Sequence, residues 1–293
     1  MKPVRLGYVD YLNTAPLVEG VAAWRDARLV PAVPARLIGM LEARAIDLGL
    51  ISVIDAACHD VRVLPVGMIG CDGPTLTVGL FSRVRPERIE RVHADSDSHT
   101  SVALLRLILA RRTGRLPDVV PLDAAHLAGL RAGIEEAAWP EALLLIGDKV
   151  VTGAPPAGVY PHRLDLGAEW KELTGMPFVY AVWACRAEDA DRPEVHAAAA
   201  VLDRARRRNA LRTDWLVARH APDRRWPRGL AEEYLGLRLR YDLGADHRRA
   251  AEHFVAEAAA LGLCPARGLR WLEPCVPSAP GLLAPTAPAT STG

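Results

Sequence analysis

The stretch that decides the fold stands near the start of the chain, where residues 8–17 read YVDYLNTAPL. An apolar run, VRLGYV at 4–9, has the composition of a buried β-strand and ends at the polar cluster 10–14. Pro16 follows, in the position that proline favours at the first turn of a helix. A strand leading directly into a helix is the opening unit of an α/β protein. Hydroxyl and amide side chains at this junction also predict a ligand site, because the carboxyl ends of parallel strands face the crevice of open sheets.

Strand-like runs and helical patterns alternate along the rest of the chain. Helices are predicted to begin at Pro16 and Pro34, and a long amphipathic helix from Ser101 is closed by Gly114. Helices dominate from about 186 to 262. Five further strands are predicted: IDLGLIS (46–52), TLTVGLFS (75–82), RIERVHAD (88–95), ALLLIGDKVV (142–151) and FVYAVWAC (178–185). This alternation is typical of α/β proteins with mostly parallel sheets.

Two of these strands, 75–82 and 178–185, are long enough to leave one sheet and enter another. They predict a two-lobed α/β fold with mixed sheets and a ligand cleft between the lobes. Lobe 1 is predicted to combine residues 1–81 and 184–275, and lobe 2 to span 82–183. The uncharged Pro/Ala/Thr-rich residues 276–293 are predicted to form a disordered tail.

Charge and composition exclude several classes of protein. The 293 residues carry 36 Lys and Arg against 35 Asp and Glu, so no net field favours a nucleic acid or a membrane surface. Five cysteines without a CxxC spacing predict reduced thiols. The N-terminus lacks the apolar segment of a secretion signal, and no window approaches the roughly 18 apolar residues of a membrane span. Together these features predict a cytoplasmic protein.

Two polar junctions are expected to face each other across the cleft. Asn13 and Thr14 follow the first strand, and Ser98, Thr100 and Ser101 follow the strand at 88–95. Helix N-termini present free N–H groups, which bind carboxylates. Two such sites would hold a small dianion. The plainer interpretation, in which Ser98 and Thr14 only cap their helices, stays open.

Four other residues are candidates by their placement. His99 is the histidine placed at the predicted cleft, although a surface histidine fits the pattern too. Asp148 ends a buried strand and suits an acid, a base or a hinge hydrogen bond. Tyr11 and Tyr180 would reach a closed cleft or pack in the interior. The motifs GxSxG, HExxH, Walker A and GxGxxG are missing from the sequence, so neither a metal nor a cofactor is predicted.

Four segments together carry a resemblance to a known family: YVDYLNTAPL, SDSHTSVALLRLIL, LLLIGDKVV and LDLGAEWKELTGMPFVYAVW. They resemble the chorismate dehydratases of the futalosine pathway of menaquinone biosynthesis, the MqnA family, in order over residues 4–185 and more loosely to about 275. The resemblance implies a type II periplasmic-binding-protein fold. It also implies a lyase that removes water from chorismate to give 3-[(1-carboxyvinyl)oxy]benzoate. Where the family often has a Ser-Ser-x-Glu-Tyr segment, this chain has SVIDA at 52–56, so only Ser52 is carried over as a binding residue.

Chorismate is a dianion whose chemistry suits the polar junctions. Loss of the ring proton beside the ether, followed by loss of the neighbouring hydroxyl, makes the ring aromatic. Thr100 and Ser101 are expected to stabilise negative charge at the ring carboxylate, and Asn13 to orient the substrate. The base stays open between Asp148, His99 and the enolpyruvyl carboxylate of the substrate itself.

Two rival functions stay open at this point. One is a non-catalytic cytosolic protein that binds or senses small carboxylates, and the other is the sister dihydroxynaphthoate synthase of the same pathway. A homodimer is compatible with the sequence but is not indicated by it.

Overall fold

The computed structural model describes residues 3–122, 124–132, 139–156 and 158–272. The predicted tail, 276–293, and Cys275 lie outside these residues, and the other four cysteines are free thiols. In the described chain, eleven strands form two sheets. The first sheet contains β1 Val4–Val9, β2 Ala27–Ala32, β3 Leu48–Ser52, β4 Val61–Cys71, β10 Phe178–Arg186 and β11 Leu239–Arg240. The second sheet contains β5 Val78–Ser82, β6 Arg91–Asp95, β7 Asp118–Leu122, β8 Ala142–Ile146 and β9 His162–Asp165.

Both sheets are mixed, as the sequence predicts. The first has the strand order β11-β4-β10-β3-β1-β2, with β1 parallel to β2 and β3, and β10 antiparallel to β3 and β4. The second has the order β7-β6-β8-β5-β9, with β6 parallel to β7 and β8, and β5 antiparallel to β8 and β9. Strands β3 and β8 are buried throughout, which explains their continuous apolar runs.

Helices cover the faces of both sheets. Those in the described residues are α1 Ala15–Val18, α2 Pro34–Glu42, α3 Val53–Cys58, α4 His99–Thr113, α5 Ala124–Ala132, α6 Lys149–Thr152, α7 Leu166–Thr174, α8 Pro193–Ala210, α9 Thr213–His220, α10 Arg228–Glu233 and α11 Ala245–Ala260. Helix α2 starts at the predicted Pro34, α1 starts at Ala15 with Pro16 in its first turn, and Gly114 ends α4 with a φ of 72°. The first helix is shorter than its apolar spacing predicts, because the chain turns extended at Glu19.

The chain changes sheets in the loops between strands, not within the two long strands that the sequence predicts. The long strand is β4, 11 residues that the sequence analysis did not identify, and β5 lies wholly in the second sheet. Strand β10 lies wholly in the first sheet, because it pairs with β3 on one side and β4 on the other. The chain therefore passes between the sheets at residues 72–77 and 175–177. The predicted lobe limits at 81/82 and 183/184 cut through β5 and β10.

The core continues from one lobe to the other beside these connections. Trp170 of α7 packs edge to face on Phe178 of β10 and on Phe254 of α11, with ring centroids 5.3 Å and 5.8 Å apart. All three side chains are fully buried. Aromatic contacts of this kind add to the free energy of apolar burial.

The first connection between the sheets, residues 72–77, is held in place by one carboxylate. Asp165, at the end of β9, accepts hydrogen bonds from the backbone N–H groups of Thr75 (2.9 Å and 3.0 Å) and Leu76 (2.6 Å). The same carboxylate caps α7 by accepting from Gly167 N (2.9 Å) and Ala168 N (3.1 Å). Four N–H groups of two segments thus share one acceptor, which fixes the connection against the start of the helix.

We expect Asp165→Ala to lower the free energy of unfolding by about 2–4 kcal/mol, because it removes a helix cap and leaves partly buried N–H groups without an acceptor. The matched control is Asp72→Ala in the same connection, where a half-exposed carboxylate pairs with Lys171 at 2.6 Å. The control should lose less than about 1 kcal/mol. Urea denaturation of both variants measures the difference, and equal losses would contradict the assigned role of Asp165.

Candidate active site

A cavity lies between the two sheets at the carboxyl ends of β1, β3 and β8. It is narrow: the space inside it that water-sized molecules can occupy is about 60 Å³, below the roughly 300–1,000 Å³ of drug-sized ligand sites. Its lining combines apolar walls with hydroxyl and amide groups from both lobes. The polar lining residues are Tyr11, Asn13, Ser52, Thr75, Thr77, Ser98, Ser101, Tyr180 and Tyr234.

The first polar junction contributes Asn13 but not Thr14. A single 3-10 turn, Leu12–Thr14, follows β1 and directs Asn13 into the cavity. The Oδ1 atom of Asn13 is buried and accepts no hydrogen bond from the described residues. The Thr14 hydroxyl donates back to the carbonyls of Val9 (2.6 Å) and Tyr11 (2.8 Å), and the side chain is buried. Thr14 therefore neither caps α1 nor lines the cavity, and its contact with substrate stays a prediction.

At the second junction, which is the start of α4, some of the predicted residues line the cavity and others do not. Ser98 caps the helix by accepting from Ser101 N at 3.2 Å, and its hydroxyl donates to Ser101 Oγ at 2.9 Å. Both serines line the cavity, so the capping and binding interpretations of Ser98 are compatible. Thr100 does not line it: its buried Oγ1 accepts from Ile54 N of lobe 1 at 3.4 Å. Helical geometry turns Thr100 away from the face of Ser98 and Ser101, so it lies outside the cavity lining and its binding of substrate stays a prediction.

Ser52, Tyr11 and Tyr180 all line the cavity. Ser52 ends β3 at the cavity, and its hydroxyl does not cap α3. Tyr180 of β10 is buried, which raises the pKa of its phenol well above the usual value. The Tyr11 ring packs on Gly147, where a φ of 63° and a distance of 2.7 Å from a Cβ to the ring leave no room for a side chain.

His99 faces a different groove from the predicted one. Its Nδ1 lies 2.8 Å and 3.0 Å from the two carboxylate oxygens of Asp55, which is buried. The groove also contains Cys58 and Arg106 and is separate from the cavity that Asn13 lines. The hydrogen bond to Asp55 raises the pKa of His99, against the opposing effect of burial. His99 therefore lies outside the lining of the cavity that contains Asn13.

Asp148 joins the lobes and lies outside the cavity lining. Both carboxylate oxygens accept from Leu12 N at 3.3 Å, so the end of β8 is tied to the first junction of lobe 1. Burial raises the pKa of Asp148, and the Leu12 hydrogen bond opposes this shift. The sequence left Asp148 open as an acid, a base or a hinge hydrogen bond, and this geometry favours the hinge hydrogen bond.

Three cavity residues were missed by the sequence analysis: Thr75, Thr77 and Tyr234. Thr75 and Thr77 are almost fully buried, and their alternation after a turn, CDGPTLT, was a signal that could have found them. Tyr234 lies in a helical stretch that carries no comparable signal. Its hydroxyl is 2.7 Å from Thr77 Oγ1.

The described lining of this cavity contains neither a charged side chain nor a histidine. A larger groove at the amino-terminal edge of β1 is rich in arginine, but ion pairs such as Arg5–Asp47 at 2.8 Å occupy much of it. Across the described residues, every helix is too short or too polar to cross a membrane.

Comparison with solved structures defines the class of fold. An Archaeoglobus fulgidus protein matches 89% of this chain and 98% of its own with a TM-score of 0.67 at 17% identity. The periplasmic aliphatic sulphonate binding protein SsuA from Escherichia coli matches 100% of this chain and 98% of its own, with a TM-score of 0.60 at 18% identity. The ligand-binding component of an ABC-type import system from Staphylococcus aureus has a TM-score of 0.62 at 10% identity, covering 94% and 97% of the two chains. The fold is periplasmic-binding-protein-like, as predicted.

Sequence comparison then identifies the family. The model of the menaquinone biosynthesis family matches residues 4–260, so the chain belongs to that family. A chorismate dehydratase from Thermus thermophilus is 31% identical over 205 residues, which cover 64% of this chain and 72% of the relative. The predicted family membership is confirmed.

We expect His99 to titrate above its usual pKa of 6.5 in an NMR experiment, and Asp55→Asn to bring the pKa back down. Because the folded-state pKa is raised, the pair stabilises the protein fully below the unfolded-state pKa of about 6.5 and loses this contribution as pH rises through the folded-state pKa. His99→Gln identifies the resonance. A His99 pKa at or below 6.5 would contradict the pairing.

Proposed function

We propose that this protein is a chorismate dehydratase, a carbon-oxygen lyase that takes chorismate as its small-molecule substrate. One observation carries the proposal: a chain of the menaquinone biosynthesis family encloses a cavity of hydroxyl and amide groups between its lobes. The name of the Thermus thermophilus relative supports the same activity. The cytoplasmic location and the homodimer stay predictions.

The ring carboxylate is assigned to the start of α4. Helix N-termini favour anions, and the hydroxyls of Ser98 and Ser101 stand at this end of a 15-residue helix. The ring proton beside the ether is vinylogous to this carboxylate, so its removal delivers negative charge there. Donors at α4 therefore stabilise the transition state more than the bound substrate.

The residues that line the cavity support a mechanism in which a carboxylate of the substrate acts as the base. His99 faces another groove, and Asp148 is engaged by Leu12 N outside the cavity. In the proposed reaction the enolpyruvyl carboxylate takes the ring proton, and the electron pair of that C–H bond delocalises toward the ring carboxylate. The pair then returns to form the new ring double bond as the neighbouring C–O bond breaks. The leaving hydroxide receives the proton and departs as water, so the protein mainly holds the reactive conformer.

Asn13 is placed to orient the departing hydroxyl. Its Oδ1 is a buried acceptor that is not satisfied within the described chain, and a substrate hydroxyl is a donor that would satisfy it. Ser52 and Tyr180 complete the wall beside it.

The decisive experiment mixes the purified, metal-stripped protein with chorismate and follows absorbance and mass. We expect loss of one water to an aromatic enol ether, and Asn13→Ala should lower kcat/KM by roughly 100-fold because a positioned polar contact to the reacting group is lost. Chorismate that binds and stays unchanged would overturn the proposal in favour of a small-carboxylate sensor.

Two control variants test the assignment of the base. His99→Gln should retain parental turnover, since its side chain lies in the other groove. Asp148→Asn should retain measurable turnover with a raised KM, because it weakens a contact between lobes rather than removing a base. Complete loss of turnover with intact binding in Asp148→Asn would contradict the substrate-assisted mechanism.

A further inference from the structure

The groove that His99 faces is a separate and roomier space than the cavity that Asn13 lines. Water-sized molecules can occupy about 420 Å³ of the groove, against about 60 Å³ of the cavity, and the two share no lining residue. The larger volume falls within the roughly 300–1,000 Å³ of sites for small organic ligands. Helix α3 follows β3 of the first sheet, whereas α4 follows β6 of the second sheet, and both helices line the groove. A molecule in the groove would therefore contact elements of both lobes.

One face of α4 supplies much of this groove. The lining residues His99, Val102, Ala103 and Arg106 stand at positions i, i+3, i+4 and i+7, which lie on the same side of a helix. His99 and Arg106 are two turns apart, roughly 10 Å along the helix axis, with the two apolar residues between them. Ser101 lies on the side of α4 that lines the cavity. The same helix thus serves the cavity and the groove with different faces.

Arg106 is a charged residue of the groove whose guanidinium has no counter-ion in the described part of the chain. The side chain is half-buried, and its Nε atom is fully buried without a hydrogen-bond acceptor among the same residues. A buried donor without an acceptor is unfavourable, and native structures rarely leave one so. An arginine fork binds a carboxylate through two parallel N–H bonds. A carboxylate placed in the groove would supply the acceptor that Arg106 lacks.

The other charged groups of the groove compensate each other. Nδ1 of His99 lies 2.8 Å and 3.0 Å from the carboxylate oxygens of Asp55. A carboxylate only accepts hydrogen bonds, so Nδ1 carries the hydrogen and Nε2 is left toward the groove. The His99 side chain is 46% exposed and that of Asp55 is 8% exposed, so the imidazole covers the carboxylate. Burial raises the pKa of the Cys58 thiol to about 11, which keeps it neutral. With His99 protonated, the lining carries one uncompensated positive charge, on Arg106.

The remaining walls of the groove are mainly apolar, with Val119 and Pro121 of β7 on one side and Leu263 on another. Apolar walls favour an aromatic or aliphatic body over a fully hydrated inorganic ion. We propose that this groove is a second ligand site, which binds an organic carboxylate with its charged group on Arg106 and its apolar body against Val119, Pro121 and Leu263. Because the groove and the cavity share no lining residue, this site does not depend on the proposed dehydratase function.

The test titrates benzoate into the isotopically labelled full chain and follows the His99 imidazole and the backbone amides of α4 by NMR. We expect saturable shifts at His99 and Arg106, with a Kd of about 1 mM or tighter for a ligand of this size. Two further probes separate the contributions of charge and apolar surface. Inorganic phosphate has the charge without the apolar body, and benzyl alcohol has the body without the charge. Neither should saturate the groove at the concentrations at which benzoate does.

Variants of α4 test the assigned contact. Arg106→Gln removes the charge and should weaken benzoate binding roughly 10-fold or more, because a charge-assisted pair is lost. Arg106→Lys keeps the charge without the fork and should bind with intermediate affinity. The matched control is Arg111→Gln on the same helix, where the guanidinium is exposed and pairs with Glu257 outside the groove. This control should keep the parental affinity, and so should Asn13→Ala in the cavity.

Several results would overturn the second site. They are the absence of saturable shifts along α4, equal affinity in the parent and in Arg106→Gln, and equal binding of phosphate, which would indicate an adventitious anion only. Loss of the shifts in Asn13→Ala would place benzoate in the cavity and would also overturn the site. None of these measurements uses turnover. A parent that leaves chorismate unchanged would therefore remove the dehydratase proposal and leave the groove to be judged on binding alone.

Discussion

The carboxylate of Asp165 is the constraint on which the rest of the structure depends. It holds the backbone of the connection at Thr75 and Leu76 and caps α7 at the same time. This connection carries the chain from the first sheet into the second and delivers Thr75 and Thr77 to the cavity. An acceptor with several lone pairs can satisfy N–H groups from two segments, which an apolar or singly bonding side chain cannot do. The position of the cavity wall therefore follows from one residue of lobe 2.

The neutral lining of the cavity has a physical reason. A buried cation would have to be desolvated before the substrate arrives, whereas hydroxyls, amides and a helix N-terminus supply positive potential at lower cost. Such groups also stay in one protonation state over a wide pH range. A reaction that ends in an aromatic ring is favourable overall, so the protein has mainly to hold the correct conformer and to stabilise developing charge.

Three residues that the sequence offers as binding or catalytic groups make contacts between the two lobes. Thr100 accepts from Ile54 N, His99 pairs with Asp55, and Asp148 accepts from Leu12 N. Each of these contacts joins an element of lobe 1 to an element of lobe 2. A strand end beside the cleft has two sides, one facing the ligand and one facing the neighbouring lobe. The residue type at a junction does not distinguish them, because polar groups are needed on both.

The sequence by itself determined the α/β class, the two mixed sheets, the polar junctions that hold Asn13 and Ser98, and the family, because apolar periodicity and short motifs are local properties of the chain. Only the tertiary structure decided where the chain changes sheets, since β10 resembles a crossing strand until its two antiparallel partners are known. It likewise decided that Thr77 and Tyr234, which lie 157 positions apart, share a hydrogen bond. Contacts between distant segments depend on how the lobes pack, and a local sequence pattern does not specify that packing.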